Sequence, residues 1–164
     1  MVKVLFVCLG NICRSPLAEG VFRHRALSVG LTEGPTGHVL ADSAGTGSWH
    51  VGSPPDERSV RVARKYGIDI TGQRARQVSV EDFEIFDYVL AMDRDNLRTL
   101  RELAPAQHHD KLSLLLDYAA NPRFREVPDP YLFRDEAGFE RVFSVIAEGV
   151  EGLLAHIRRH HLSG

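Results

Sequence analysis

The sequence predicts an α/β fold, a mostly parallel sheet with helices on both faces. Three observations lead there. Short β-branched runs alternate with longer segments of helical period, the alternation that builds strand–helix–strand crossovers. A continuous apolar run of strand length opens the chain, as expected of a strand buried on both sides. The helical segments are punctuated by Gly or Pro, which end helices. At 164 residues and 43% hydrophobic content the chain fits one domain, residues 1–164, around a single core.

Val2 to Val7 is the first strand, and Ser15-Pro16 opens a helix whose Leu17, Val21 and Phe22 share one face. His38 to Ser43 reads as a second strand, and Pro55 to Tyr66 as a helix stopped by Gly67. Tyr88 to Met92 is a third strand, Asp93 to Leu103 a helix ahead of Pro105, and Lys111 to Leu116 a fourth strand. The last element is a long helix over Glu136 to His160, with apolar residues at 139, 142, 143, 146, 150, 153, 154 and 157.

Composition excludes several classes of partner. A formal net charge of -2 gives no general attraction to nucleic acid or to anionic membranes, although a local basic pocket for a small anion remains compatible with it. The apolar opening run gives way after residue 7 to CLGNICRSP, too early for a signal peptide, and no stretch reaches the roughly 18 apolar residues of a membrane span. Two cysteines, Cys8 and Cys13, are too few for a disulfide scaffold and suit a reducing compartment, so a cytoplasmic protein is expected. No metal or other cofactor is expected: there is no CxxC pair, and His108-His109 and His160-His161 are adjacent doublets that read as solvated surface. Nothing in the composition speaks to oligomeric state.

The chemistry is concentrated between the first strand and the first helix. In Cys8-Leu9-Gly10-Asn11-Ile12-Cys13-Arg14-Ser15 a cysteine and an arginine are separated by five residues. Such a loop can curl so that successive backbone N–H groups point inward, a nest for anionic oxygens reinforced by the helix N-terminus. Arg14 can offer a planar fork to two phosphate oxygens, and Gly10 and Asn11 both tolerate left-handed backbone angles. The same inward dipoles favour the thiolate at Cys8, the form that attacks phosphorus. Spacing alone leaves open that Cys8 is a small buried hydrophobe and Ser15 an ordinary helix cap worth about 1 kcal/mol.

The string VLFVCLGNICRSPLAEGVF resembles the signature of the low-molecular-weight protein tyrosine phosphatases. The likeness continues through DSAGT at 42–46, GSPPD at 52–56, RARQV at 74–78, FDYVLAMDRDNL at 86–97 and PDPY at 128–131, nearly the whole chain. It implies a four-stranded parallel sheet with flanking helices and hydrolysis of phosphotyrosine in a protein or peptide through a phosphocysteine intermediate. By this likeness Cys8 is the nucleophile and Arg14 the clamp, residues 9–15 bind phosphate, and Ser15 assists departure of the thiolate. Asn11 and Ser43 hold the loop in shape. Nothing in spacing selects one acid from the 22 Asp and Glu residues; the match of PDPY selects Asp129 as proton donor and later base. Tyr131 and Trp49 would wall the substrate ring, while Leu132 departs from a second aromatic often found there. Cys13 matches a cysteine that can form a reversible disulfide with Cys8 in related enzymes; its other reading is a thiol packed behind the loop.

Three alternatives differ in substrate or class. Arsenate reductases share the loop but relay electrons through downstream cysteines, and none follows Cys13. Protein arginine phosphatases are associated with Thr where this loop carries the apolar Ile12. A non-catalytic phosphate-binding module would keep the loop and lose the nucleophile or the acid, whereas Cys8, Arg14 and Asp129 are all present.

Overall fold

The computed structural model describes residues 1–34, 36–120, 124–130 and 135–162. Its four strands, β1 (Val2–Cys8), β2 (Val39–Gly45), β3 (Tyr88–Ala91) and β4 (Leu112–Leu114), form one parallel sheet in the order β2-β1-β3-β4. The helices are α1 (Arg14–Ser28), α2 (Glu57–Lys65), α3 (Asp82–Ile85), α4 (Arg94–Leu103) and α5 (Glu136–His161). The expected α/β class and four strands are therefore present.

Alternation along β1 divides the core. Val2, Val4, Phe6 and Cys8 pack with apolar residues of α1 and α5, whereas Leu5 and Val7 pack on the opposite face with Phe83, Phe86, Leu97 and Leu100. Cys8 thus leaves the strand on the α1 side. The chain runs outward from β1 in both directions, to β2 and to β3, so its carboxyl end is the topological switch point of the sheet. There Cys8 pairs in register with Gly45, and Val7 with Ala91.

Boundary differences have local causes. α2 begins at Glu57 because Asp56 caps it, accepting from the Arg58 N–H at 2.9 Å, and the expected Pro55 start lies before the cap. Asp93 likewise caps α4 instead of opening it, accepting from the Asn96 N–H at 2.8 Å. β4 is shorter than expected because residues 115–118 coil into a 3-10 turn. The four-residue α3 was not legible from periodicity, being shorter than two turns. α5 buries all eight apolar positions expected of it, together with Val145. On its last turns, His156 and His160 are four residues apart with ring centroids 4.2 Å apart, a spacing that attention to the His doublets overlooks. Among the described residues no three His, Cys, Asp or Glu side chains form a potential metal centre. No helix among them is long and apolar enough to cross a membrane.

Candidate active site

The loop from Cys8 to Arg14 is shaped by bonds made away from the cleft it encloses. The carbonyls of Cys8, Leu9 and Ile12 accept from the N–H groups of Thr46, Gly47 and Asp56 at 2.9, 2.9 and 2.8 Å. With these carbonyls engaged by neighbouring segments, the loop can turn N–H groups inward, and the Asn11 N–H lies 3.3 Å from Cys8 Sγ. Asn11 takes the one left-handed non-glycine conformation among the described residues, φ 57°. Gly10, expected to share that freedom, does not use it; its missing side chain instead admits the His50 ring, 3.0 Å from where a Cβ would stand. Gly45 is required by close approach: a Cβ there would lie 2.8 Å from the Leu9 carbonyl oxygen.

Behind the loop, Asn11 is buried and its side chain is fully engaged. Its Nδ2 donates to Ser15 Oγ at 2.8 Å and to Ser43 Oγ at 3.0 Å, while its Oδ1 accepts from the Arg76 N–H at 2.9 Å. An amide nitrogen only donates, so each hydroxyl must direct its own proton elsewhere. For Ser15 the near acceptor is Cys8 Sγ at 3.0 Å, with the Ala44 carbonyl at 3.5 Å the other. Asn11 and Ser43, the two residues expected to support the loop, are bonded directly to each other. Ser15 as helix cap is not: Cys13 occupies the cap position of α1 without a side-chain bond, and Ser15 lies inside the helix with its hydroxyl on the sulfur.

Arg14 is buried, and its Nη1 donates to Asp93 Oδ2 at 2.8 Å and to the Val127 carbonyl at 3.1 Å. The Val127 N–H in turn donates to the Met92 carbonyl at 2.8 Å. Val127 therefore fastens the segment that carries Asp129 to the end of β3 and to Arg14 together. Arg14, Asp129, Pro130, Trp49 and His50 line one cleft with Cys8, Leu9, Gly10, Ile12 and Cys13. Cys8 and Cys13 are both buried thiols. Trp49 is 73% exposed, the condition of a cleft wall and not of a core side chain. Tyr131 and Leu132 lie outside the described residues.

Asp93, Arg76, Gln73 and His50 were not singled out from sequence. The first two lie in the quoted strings FDYVLAMDRDNL and RARQV, whose apolar and turn residues gave no sign of which polar side would face the loop.

Residues 3–162 match the family model described as low molecular weight phosphotyrosine protein phosphatase. The chain belongs to that family. A Bacillus subtilis relative, low molecular weight protein-tyrosine-phosphatase YfkJ, is 46% identical over 159 residues, 97% of each chain. The crystal structure of YfkJ superposes with a TM-score of 0.90 at 46% identity, covering 98% of this chain and 97% of its own. A protein tyrosine phosphatase from Entamoeba histolytica gives 0.90 at 38% identity, over 97% and 98%. A Drosophila arginine phosphatase gives 0.86 at 34% identity, over 96% and 98%. The names of the similar proteins thus span two kinds of phosphorylated residue.

Proposed function

We propose that this chain is a single-domain phosphatase that hydrolyses phosphotyrosine in proteins or peptides, with Cys8 as nucleophile, Arg14 as phosphate clamp and Asp129 as general acid and base. The observation that carries this reading is the convergence of those three side chains on one cleft, with the Ser15 hydroxyl on the sulfur. The Cys8 thiolate attacks phosphorus, forming a sulfur–phosphorus bond as the bond to the tyrosine oxygen breaks, and Asp129 gives that oxygen its proton. Inward N–H groups of residues 9–15 and Arg14 hold the three non-bridging oxygens, most tightly as charge spreads in the transition state. Water then attacks the phosphocysteine, Asp129 takes its proton, and the thiolate departs onto the Ser15 hydroxyl. No metal or organic cofactor enters either step. Cys13, in the same loop and lining the same cleft, is proposed to shelter Cys8 by a reversible disulfide when an oxidant takes the two thiols' electrons.

Phosphotyrosine is favoured over phosphoarginine because Ile12, Trp49 and Pro130 give the cleft apolar walls, which suit an aryl ring better than a guanidinium that needs polar partners. Tyr131 completes this proposed ring site. A cytoplasmic setting belongs to the same reading, since a thiol nucleophile stays reduced there.

The test is hydrolysis of a phosphotyrosine peptide, phosphoarginine and, for reduction, arsenate by the purified protein with chelator present. Phosphotyrosine should turn over at least about ten-fold faster than phosphoarginine, and Cys8→Ser should abolish turnover. Faster release from phosphoarginine would replace the substrate, and activity surviving Cys8→Ser would remove the nucleophile.

A further inference from the structure

The last turns of α5 bring a second set of chemistry-bearing side chains together, away from the cleft. Tyr88 opens β3 and pairs in register with Val4, four residues before Cys8 along β1. At roughly 3.3 Å per residue that places it about 13 Å back from the start of the phosphate loop. His156 and His161 stand against Tyr88, His156 also against Tyr118, and His160 lies next to His156.

His156 and His160 are four residues apart, which sets their side chains on one helix face, one turn above the other. Their ring centroids are 4.2 Å apart and the ring planes are tilted by 37°. An imidazole nitrogen binds Zn²⁺ at about 2.0–2.1 Å, so two rings that share one ion have centroids about 4.5–5 Å apart. The pair already stands within about an ångström of that separation, a difference that small rotations of the side chains absorb.

The surroundings hold one ring and leave the other adjustable. His156 is half-buried and packs at steep angles against Tyr118 at 5.0 Å and Tyr88 at 5.8 Å. His160 is exposed and can turn onto an ion that His156 holds, with water filling the remaining positions. His161 is committed elsewhere: its Nε2 shares a hydrogen bond of 2.7 Å with the Tyr88 hydroxyl, which fastens the last turn to β3. Among the described residues no third His, Cys, Asp or Glu completes a metal centre, so the pair is an open site with two protein ligands. Arg158 and Arg159 fall between the two histidines in sequence, but they line a different hollow, with Val29 and Leu31. The free carbonyls at the end of a helix favour positive charge there.

We propose that His156 and His160 form a two-histidine site for a divalent transition-metal ion of the Zn²⁺, Ni²⁺ and Cu²⁺ class, remote from the reaction cleft. Imidazole suits these ions, whereas Mg²⁺ and Ca²⁺ seek oxygen. A bound ion joins two successive turns of α5 and, through His156, fixes the helix end against Tyr88 and Tyr118. The chemistry assigned to Cys8 neither needs this ion nor touches it.

His108 and His109 supply an internal control. They are neighbours on a 3-10 helix, where successive side chains diverge by about 120°, and His109 Nε2 donates to the Ala104 carbonyl at 2.9 Å.

The test titrates Zn²⁺, which has no redox chemistry with the thiols, into the full chain at about pH 7.5, where most imidazoles are neutral. The eight histidine side chains are followed by ¹H–¹⁵N NMR. His156 and His160 should respond together with one shared Kd, at lower Zn²⁺ than His108 and His109. His160→Ala, at an exposed position, should weaken the response of His156 at least about five-fold, because two ligands on one face act as a chelate. Cys8→Ser should leave the paired response in place, which separates it from capture of the ion by the thiol. Separate Kd values for the two rings, equal affinity at His108 and His109, or a loss smaller than about five-fold in His160→Ala overturns the proposal. So does a response that disappears with Cys8→Ser, or none by about 1 mM Zn²⁺. Hydrolysis plays no part in this readout, so failure of the phosphatase reading would leave it standing.

Discussion

The two sides of the Cys8–Arg14 loop are built on opposite terms. On the rear, Asn11 spends every polar atom of its side chain on protein partners, and Ser15, Ser43 and Arg76 are tied into the same net. On the front, the cleft is lined by apolar Leu9, Ile12, Trp49 and Pro130 with a few reactive groups among them. A densely bonded back lets the front remain sparsely committed, so that its donors and its thiol are available to a ligand. Arg14 belongs to both sides, held by Asp93 and Val127 while its guanidinium borders the cleft.

This division makes graded predictions. Front substitutions should change chemistry and leave stability nearly intact. Asp129→Ala should lower kcat by roughly 10²–10⁴-fold on phenyl phosphate and much less on p-nitrophenyl phosphate, whose leaving group needs little protonation. Equal losses on the two substrates would take the acid role from Asp129. Rear substitutions should damage both properties. Asn11→Ala removes three hydrogen bonds and leaves a side chain at φ 57°. It should cost about 2–4 kcal/mol in denaturant unfolding and roughly 10–100-fold in kcat. If activity fell with stability unchanged, the distinction between the two sides would dissolve.

Gly45→Ala tests the rear through the backbone. Its Cβ would meet the Leu9 carbonyl at 2.8 Å, so the loop must shift, at about 1–3 kcal/mol and roughly ten-fold in kcat. A crystal structure with the loop unmoved would contradict that. A pH-dependent effect on stability alone concerns Glu19, whose carboxyl is pushed up by burial on α1. Its folded-state pKa lies above the unfolded one, so the folded protein holds this proton more tightly, and that stabilisation is full below pH 4.5 and lost as pH rises through about 7. The unfolding free energy of Glu19→Gln relative to wild type should therefore improve by on the order of 3 kcal/mol between about pH 4 and pH 8. A difference that does not change with pH would mean that the carboxyl titrates as an exposed one.

What could be read from sequence tracks how local the cause is. The strand, the phosphate loop and the helix that follow one another from Val2 were legible because one short stretch contains the apolar run, the Cys–Arg spacing and the Ser-Pro start. Asp129 and Trp49 came only from resemblance, since no periodicity links them to Cys8 across the intervening chain. Asp93 was missed as a site residue although its position at a helix start was clear. Its second oxygen reaches Arg14 because β3 lies beside β1 in the sheet, which is a fact of strand order and not of the local string. Ser15 was legible as a polar residue at a helix start, but the choice between capping and binding sulfur depends on where Cys13 turns. Glu19 was not legible as buried, since by helical period it lies nearly opposite Leu17 and Val21, and its surroundings are set by β2 and the segment after α2.

Val127 fastens the acid's segment through its peptide groups alone, N–H to Met92 and C=O to Arg14. Main-chain attachment is blind to side-chain identity. Over evolutionary time position 127 should accept any apolar residue that fills the same buried space, while the count of residues from 127 to 129 stays fixed. One inserted residue there would preserve every named side chain and still carry the carboxyl out of step with the sulfur. In this part of the molecule the inherited information is a length.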